Sequence, residues 1–182
     1  MAKDMKQHPL GDHQTFENAG ISLVAQPIAF AAQIFARNGK ANAVAKKLEL
    51  PLSPGQGAIG SRFNALPLSP GQWLVASHRD SGPSLSDLEE ELADIGYASQ
   101  QSESRICIRV SGDKARELMS RGCRLDLHPD VVGKNFCAQT QMAQIGVLIH
   151  QISDGPEYDL YVYSGFARSF WHWLTETAEQ FR

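Results

Sequence analysis

Cysteine is scarce in this sequence, with three among 182 residues. So small and odd a number does not build the paired disulfide framework of a secreted domain, and it points to a reducing, cytoplasmic setting. Long apolar runs are missing too. The longest apolar tract, residues 21–36, is interrupted by Gln26, Pro27 and Gln33, whereas a membrane-spanning helix needs about 20 apolar residues in a row. It also begins too deep in the chain, behind residues of mixed charge, to act as a signal peptide. Clustered positive charge is the third absence. Lys and Arg number 17 against 20 Asp and Glu, a net charge of −3, and no basic run interrupts the sequence. That excludes nucleic acid and anionic membrane as partners, since both need a basic face. No Gly-x-Ser-x-Gly nucleophile elbow occurs. What remains is ordinary for a globular chain: 42% hydrophobic and 20% charged residues, long enough to bury well over half of the unfolded surface.

Hydrophobic periodicity predicts an α+β architecture. Residues 1–20 read as a loosely ordered leader, and residues 21–182 as a single domain. Residues 28–37, apolar and bounded by Pro27 and Asn38-Gly39, predict a buried strand. Beyond Gly39, Ala41, Val44, Ala45 and Leu48 keep helical spacing, with Lys46 and Lys47 at the end the helix dipole favours. Strands follow over 58–66 and 72–77, joined by Ser69-Pro70-Gly71. Ser84 caps a helix striped by Leu85, Leu88, Leu92 and Ile95. Asp87 stands at capping-box spacing, and Gly96 closes the helix.

The second half repeats this order. A strand over 105–110 precedes a helix that turns Ala115, Leu118 and Met119 inward and stops at Gly122. Strands over 140–152 and 158–163 flank Asp154-Gly155-Pro156, and a last helix covers 165–181. Two β-α-β-β-α halves, 21–96 and 97–182, thus pack as one compact domain. Local echoes suggest duplication: Asn38-Gly39-Lys40-Ala41 against Ser111-Gly112-Asp113-Lys114-Ala115, and Leu50-Pro51-Leu52-Ser53-Pro54 against Leu125-Asp126-Leu127-His128-Pro129. The run LPLSPGQ occurs at 50–56 and again at 66–72. Without a third copy it reads as a reused strand-end turn.

Candidate chemistry weakens wherever it is tested. Gly55-Gln-Gly57-Ala-Ile-Gly60 spells GxGxxG, with Asp80 downstream. A dinucleotide fingerprint needs a strand before it and a helix N-terminus behind it; here a proline turn precedes and an extended segment follows. Ser77-His78-Arg79-Asp80 holds triad residue types, yet neighbours along one segment point different ways and do not converge. Cys123, His128 and Cys137 fit no common zinc spacing, and His150 belongs to an apolar strand. Buried thiols commonly act as small hydrophobes, Cys107 most clearly. Asp87, Glu89, Glu90, Glu91 and Asp94 occupy the solvated face of the capped helix. Asp126, between two leucines, needs a partner in Arg124, Lys134 or local backbone N–H groups. No catalytic, cofactor-binding or metal-ligating residue is assigned.

The last helix carries most information. Phe166, Ala167, Phe170, Trp171, Trp173, Leu174, Ala178 and Phe181 cover an arc of about 160°, wider than the stripe of roughly 100° that an intramolecular core contact needs. Trp171 and Trp173 stand at opposite borders of that arc. Phe166, Phe170, Trp171 and Trp173 are therefore the candidate interface with another chain, because tryptophan is favoured at buried contact hot spots.

The C-terminal half also resembles a known family. Gly122, Cys123, Leu125, Asp126, Leu127, His128 and Pro129 form Gly-Cys-x-Leu-Asp-Leu-His-Pro; Cys137 to Thr140 follows as Cys-Ala-x-Thr. Then come an apolar Ile145-Gly-Val-Leu-Ile149 and Phe166-Ala-Arg-Ser-Phe-Trp-His-Trp-Leu174. Together they are similar to the sarcosine oxidase gamma-subunit family over roughly 105–181. Upstream, Leu68-Ser-Pro-Gly-Gln-Trp-Leu-Val75 is similar but lacks an acidic pair. The resemblance implies a fold like part of the folate-binding aminomethyltransferase domain, with no catalytic residue or cofactor in this chain. It implies alpha, beta and delta partner subunits that carry FAD, FMN and NAD, and tetrahydrofolate as a substrate of the complex. It also implies oxidative demethylation of sarcosine to glycine, with an N-methylglutamate dehydrogenase-type complex as the alternative. A folate-binding one-carbon protein is a further alternative, and a free-standing dinucleotide enzyme built on Gly55, Gly57 and Gly60 a third.

Overall fold

The computed structural model describes residues 9–11, 14–80 and 82–181. It opens with strands β1 (Thr15–Asn18), β2 (Ile21–Gln26) and β3 (Phe30–Ala36), then helix α1 (Ala41–Leu48). Strands β4 (Ala58–Ile59), β5 (Asn64–Ser69) and β6 (Gln72–Ser77) lead to helix α2 (Leu85–Leu92) and strand β7 (Gly96–Gln100). The second part holds β8 (Arg105–Ser111), α3 (Ala115–Ser120), β9 (Cys137–Met142), β10 (Ile145–Gln151) and β11 (Tyr158–Tyr163). A 3-10 turn at Ser164–Phe166 feeds the last helix, α4 (Ala167–Ala178).

Two antiparallel sheets result. One has the order β1-β2-β8-β11-β10-β9 and the other β4-β5-β6-β3-β7. Period-two alternation gives each sheet two apolar faces. Val147 and Ile149 join α3 and α4 in one core, while Leu148, between them, meets Leu66, Leu74 and Ala76 of the other sheet. On the far side, Ile34, Trp73 and Val75 pack under α1 and α2 through Val44, Leu48, Leu88 and Leu92. The layers run helix, sheet, sheet, helix, a stacking that covers both faces of both sheets.

Sequence expectations hold where periodicity is strong. The predicted capping box is present: Ser84 Oγ accepts from the Asp87 backbone N–H at 3.2 Å, and Asp87 Oδ2 accepts from Ser84 N–H at 3.0 Å. Lys46 and Lys47 occupy the last turn of α1, and Ala115, Leu118 and Met119 are buried.

Three expectations need correction. Residues 1–20 are not a loose leader throughout, since β1 pairs with β2 from Thr15 to Asn18. Asn18 Nδ2 also donates to the Ala178 and Phe181 carbonyls at 2.8 and 3.0 Å, locking the strand to α4; residues 1–8, 12 and 13 lie outside the described residues. The single strand over 140–152 is a hairpin. Ala143 and Gln144 both take positive φ, 49° and 66°, the backbone of a type I′ turn written without its usual Asn-Gly signal. Finally, the sheets do not divide at residue 96. β2, from the first half, pairs with β8, and Gly96 opens β7, which pairs with β3. Each sheet therefore has the same succession of elements, except that the strand beside β8, β2, comes from the chain's own start and β1 adds a sixth strand outside it.

Candidate functional site

Between the two sheets lies a polar seam. β8, β10 and β11 turn alternate residues away from the helices, and Cys107, Arg109, His150, Asp159 and Tyr161 fall on that inner face. Asp159 and Arg109 are directly opposite across β11 and β8. Arg109 Nε donates to Asp159 Oδ1 at 2.8 Å and its terminal nitrogen to Oδ2 at 3.0 Å, while Asp159 is fully buried. From the second sheet, His78 follows β6. Its Nδ1–H donates to the Pro27 carbonyl at 2.7 Å, holding the segment that crosses between sheets. Its Nε2 stands 3.2 Å from the Tyr161 hydroxyl and 3.6 Å from Asp159 Oδ2.

Burial alone would raise the Asp159 carboxyl, but the nearby His78 and the hydrogen-bonded Arg109 outweigh it and hold it below its ordinary range. Burial pushes the Cys107 thiol and the Tyr161 hydroxyl well up, and pushes Cys137 up to about 12. Ligand atoms of His78, Cys107 and Asp159 lie within 4.8 Å of one another, a donor set that a transition metal accepts. One feature opposes a cation there: Arg109 already lies against both carboxylate oxygens. The group works as a buried ion pair extended by hydrogen bonds. It joins the sheets.

The residues singled out in sequence go elsewhere. His78 finds its side-chain partners in Asp159 and Tyr161, not in Ser77 or Asp80. Gly55 takes φ +77°, and Gly57 N–H donates to the Asn135 carbonyl at 2.7 Å; β4, not a helix, follows. A Cβ at Gly57 would stand 3.1 Å from the His150 ring and Leu66, so the glycine lets both side chains pack close. These residues do not fit a dinucleotide pyrophosphate, which needs a helix N-terminus. Cys123 belongs to the helix-side core and Cys137 to the inter-sheet core, while His128 is exposed. They do not converge.

The C-terminal motif builds a loop and a socket. Asp126 is exposed, and its Oδ1 accepts from the His128 N–H at 2.9 Å, the local backbone partner its neighbours allowed. Leu127 and Cys123 are buried, and Thr140 lies on the edge strand β9. Gly122 faces Trp173: a Cβ there would come within 2.4 Å of the indole. Trp173 in turn stacks on Phe170, with centroids 6.0 Å apart. Phe170 is fully buried in the chain's own core and so is withdrawn from the candidate interface. Trp171 and Trp173 are part-buried against that core, and Phe166 is 52% exposed.

The sequence profile described as "Sarcosine oxidase, gamma subunit family" matches residues 29–180. The chain belongs to the sarcosine oxidase gamma-subunit family. A curated relative, sarcosine oxidase subunit gamma of Corynebacterium sp. (strain P-1), is 29% identical over 86 residues. That alignment covers 47% of this chain and 42% of the relative, less than half of its length. Among solved structures, a chain of heterotetrameric sarcosine oxidase from Corynebacterium sp. U-96, in complex with pyrrole 2-carboxylate, superposes with TM-score 0.78 at 24% identity. The match covers 92% of this chain and 88% of that one. Glycine cleavage system aminomethyltransferase T from Bartonella henselae gives TM-score 0.61 at 12% identity over 86% of this chain and 46% of its own. The α+β fold with two sheets is shared with both.

In this gamma-subunit family member the socket makes a sharp prediction. Gly122→Ala is expected to cost about 1–3 kcal/mol, because the new methyl must displace a ring packed against Phe170. Urea unfolding should show a lower midpoint at unchanged slope. A midpoint equal to wild type would mean that Trp173 does not occupy the socket. Sequence reasoning missed the seam altogether, since its members come from strands far apart in the chain.

Proposed function

We propose that this chain is a non-catalytic gamma subunit of a heterotetrameric sarcosine oxidase, working in the cytoplasm with alpha, beta and delta partners. The observation that carries the reading is the family match over residues 29–180, joined to a fold likeness covering 92% of the chain. Its own side chains support it. Inside the seam Asp159 is held by Arg109, and the glycine run has no helix to cradle a nucleotide. Oxidative demethylation of sarcosine to glycine then belongs to partners carrying FAD, FMN and NAD, with tetrahydrofolate accepting the one-carbon unit.

Co-expression with the partner subunits tests this. The tagged chain should bring them down together with flavin absorbance, while the chain alone is colourless and turns over no sarcosine. A yellow or active isolated chain would sink the proposal, and faster turnover of N-methylglutamate than of sarcosine would redirect the substrate. Of the four candidate interface residues, Phe166 is the exposed one, beside the part-buried Trp171 and Trp173. Phe166→Ala should weaken assembly by about 2 kcal/mol or more without lowering the melting temperature. Equal recovery of partners by mutant and wild type would place the contact elsewhere.

A further inference from the structure

Where the polar seam reaches the surface it opens into a cavity of about 270 Å³, lined in part by Gln26, Arg62, Asn64, His78, Arg79 and Arg109. No carboxylate among the described residues lines it, although the chain as a whole carries a net charge of −3. The cationic residues are differently engaged. Arg62 is held by Glu91 through two hydrogen bonds of 3.2 and 2.7 Å. Arg109 gives Nε and one terminal nitrogen to Asp159, and its other terminal nitrogen lies 3.9 Å from Glu157, beyond hydrogen-bond reach. A guanidinium has five N–H donors, so several on Arg109 remain for a ligand. The Arg79 guanidinium has no ion-pair or hydrogen-bond partner among the described residues. Two guanidinium groups with spare donors therefore border one small cavity, and planar forks of this kind match carboxylate and phosphate oxygens. The cavity is below the size that drug-like ligands need, roughly 300–1,000 Å³.

We propose that this cavity binds a small oxyanion, a phosphate or carboxylate group, between Arg79 and Arg109. His78, fixed through Nδ1 to Pro27, lines it together with Asn64 and Gln26. Asp159 serves the site indirectly by fixing the plane of the Arg109 fork. The site joins residues of both sheets, so a bound anion would also clamp them together. This inference stands apart from the subunit assignment, because it concerns the chain alone.

The test uses the full chain in sodium phosphate, sodium succinate and sodium chloride at matched ionic strength and pH, read by thermal melts and calorimetry. Wild type should gain melting temperature saturably in phosphate, succinate or both, beyond chloride; the salt that acts identifies the preferred oxyanion. Arg79→Ala should melt like wild type in chloride, since its exposed side chain makes no hydrogen bond or ion pair among the described residues. It should bind the active anion roughly tenfold or more weakly, the worth of one charge-assisted hydrogen bond. Arg79→Lys, with charge but no fork, should fall between the two. Identical responses in all three salts, or an Arg79→Ala variant that titrates like wild type, would overturn the proposal.

Discussion

Replacing Arg109 with methionine is expected to remove about 3–5 kcal/mol of folding stability, the loss seen when one partner of a buried ion pair is deleted. The methionine fills much of the arginine stem's volume but leaves Asp159, with no exposed surface, facing His78 alone. Native domains hold only about 5–15 kcal/mol in total, so this single change could consume a large share. Two controls separate charge from packing. Arg109→Met combined with Asp159→Leu should recover most of the loss, because two apolar groups need no counter-charge. The deficit of the single mutant should also shrink on acidification. In wild type the Asp159 carboxyl is held below its unfolded value, so its contribution is present above the unfolded pKa and is lost only as pH falls through the lower folded one. Without Arg109, burial dominates and raises it, and protonation relieves the penalty at milder acidity. Urea unfolding at pH 7 and pH 5 measures both effects. A mutant within about 1 kcal/mol of wild type at pH 7 would show that the pair is solvated and not structural.

How much of this was legible in the sequence follows from where each signal is stored. β6 and β11 fall where alternation and flanking turns place them, at Gln72–Ser77 and Tyr158–Tyr163, because the pattern and its punctuation are local. The capping box at Ser84 and Asp87 is equally local. The hairpin at Ala143-Gln144 was hidden because neither residue announces a positive φ, and the uninterrupted pattern on both sides read as one strand. The pairing of β2 with β8 links residues more than 80 positions apart, and nothing in either strand names its partner. The same holds for the seam. His78 stands among triad-like neighbours in sequence, yet its partners Asp159 and Tyr161 arrive from β11 only once the sheets stack. On α4, the inward stripe was legible at Leu174 and Ala178, while Phe170, read as an interface candidate, is buried in that stripe. That Trp173 needed Gly122 was not legible, since a missing side chain leaves no periodic trace.

His150 supplies the second large effect. It lies on β10 with no exposed surface and with neither ring nitrogen hydrogen-bonded, pressed against Gly57 and Leu66. Burial lowers its pKa to about 4, whereas an unfolded histidine titrates near 6.5. The folded state thus binds fewer protons than the unfolded one between those values. Stability is intact above about pH 6.5, declines as pH falls toward 4, and loses about 3 kcal/mol through this residue by the end of the window. His150→Leu removes the titration and leaves no ring nitrogen unsatisfied, so it should be near neutral at pH 7 and flatten the acid limb below it. Urea unfolding at intervals from pH 7 to pH 4 reads the difference. Parallel curves for mutant and wild type would mean that the ring is hydrated or charged in the folded chain, contrary to its packing. The contrast with Asp159 is instructive: both groups are buried, but the carboxylate keeps a charged partner in Arg109 while the imidazole has none among the described residues and is held neutral.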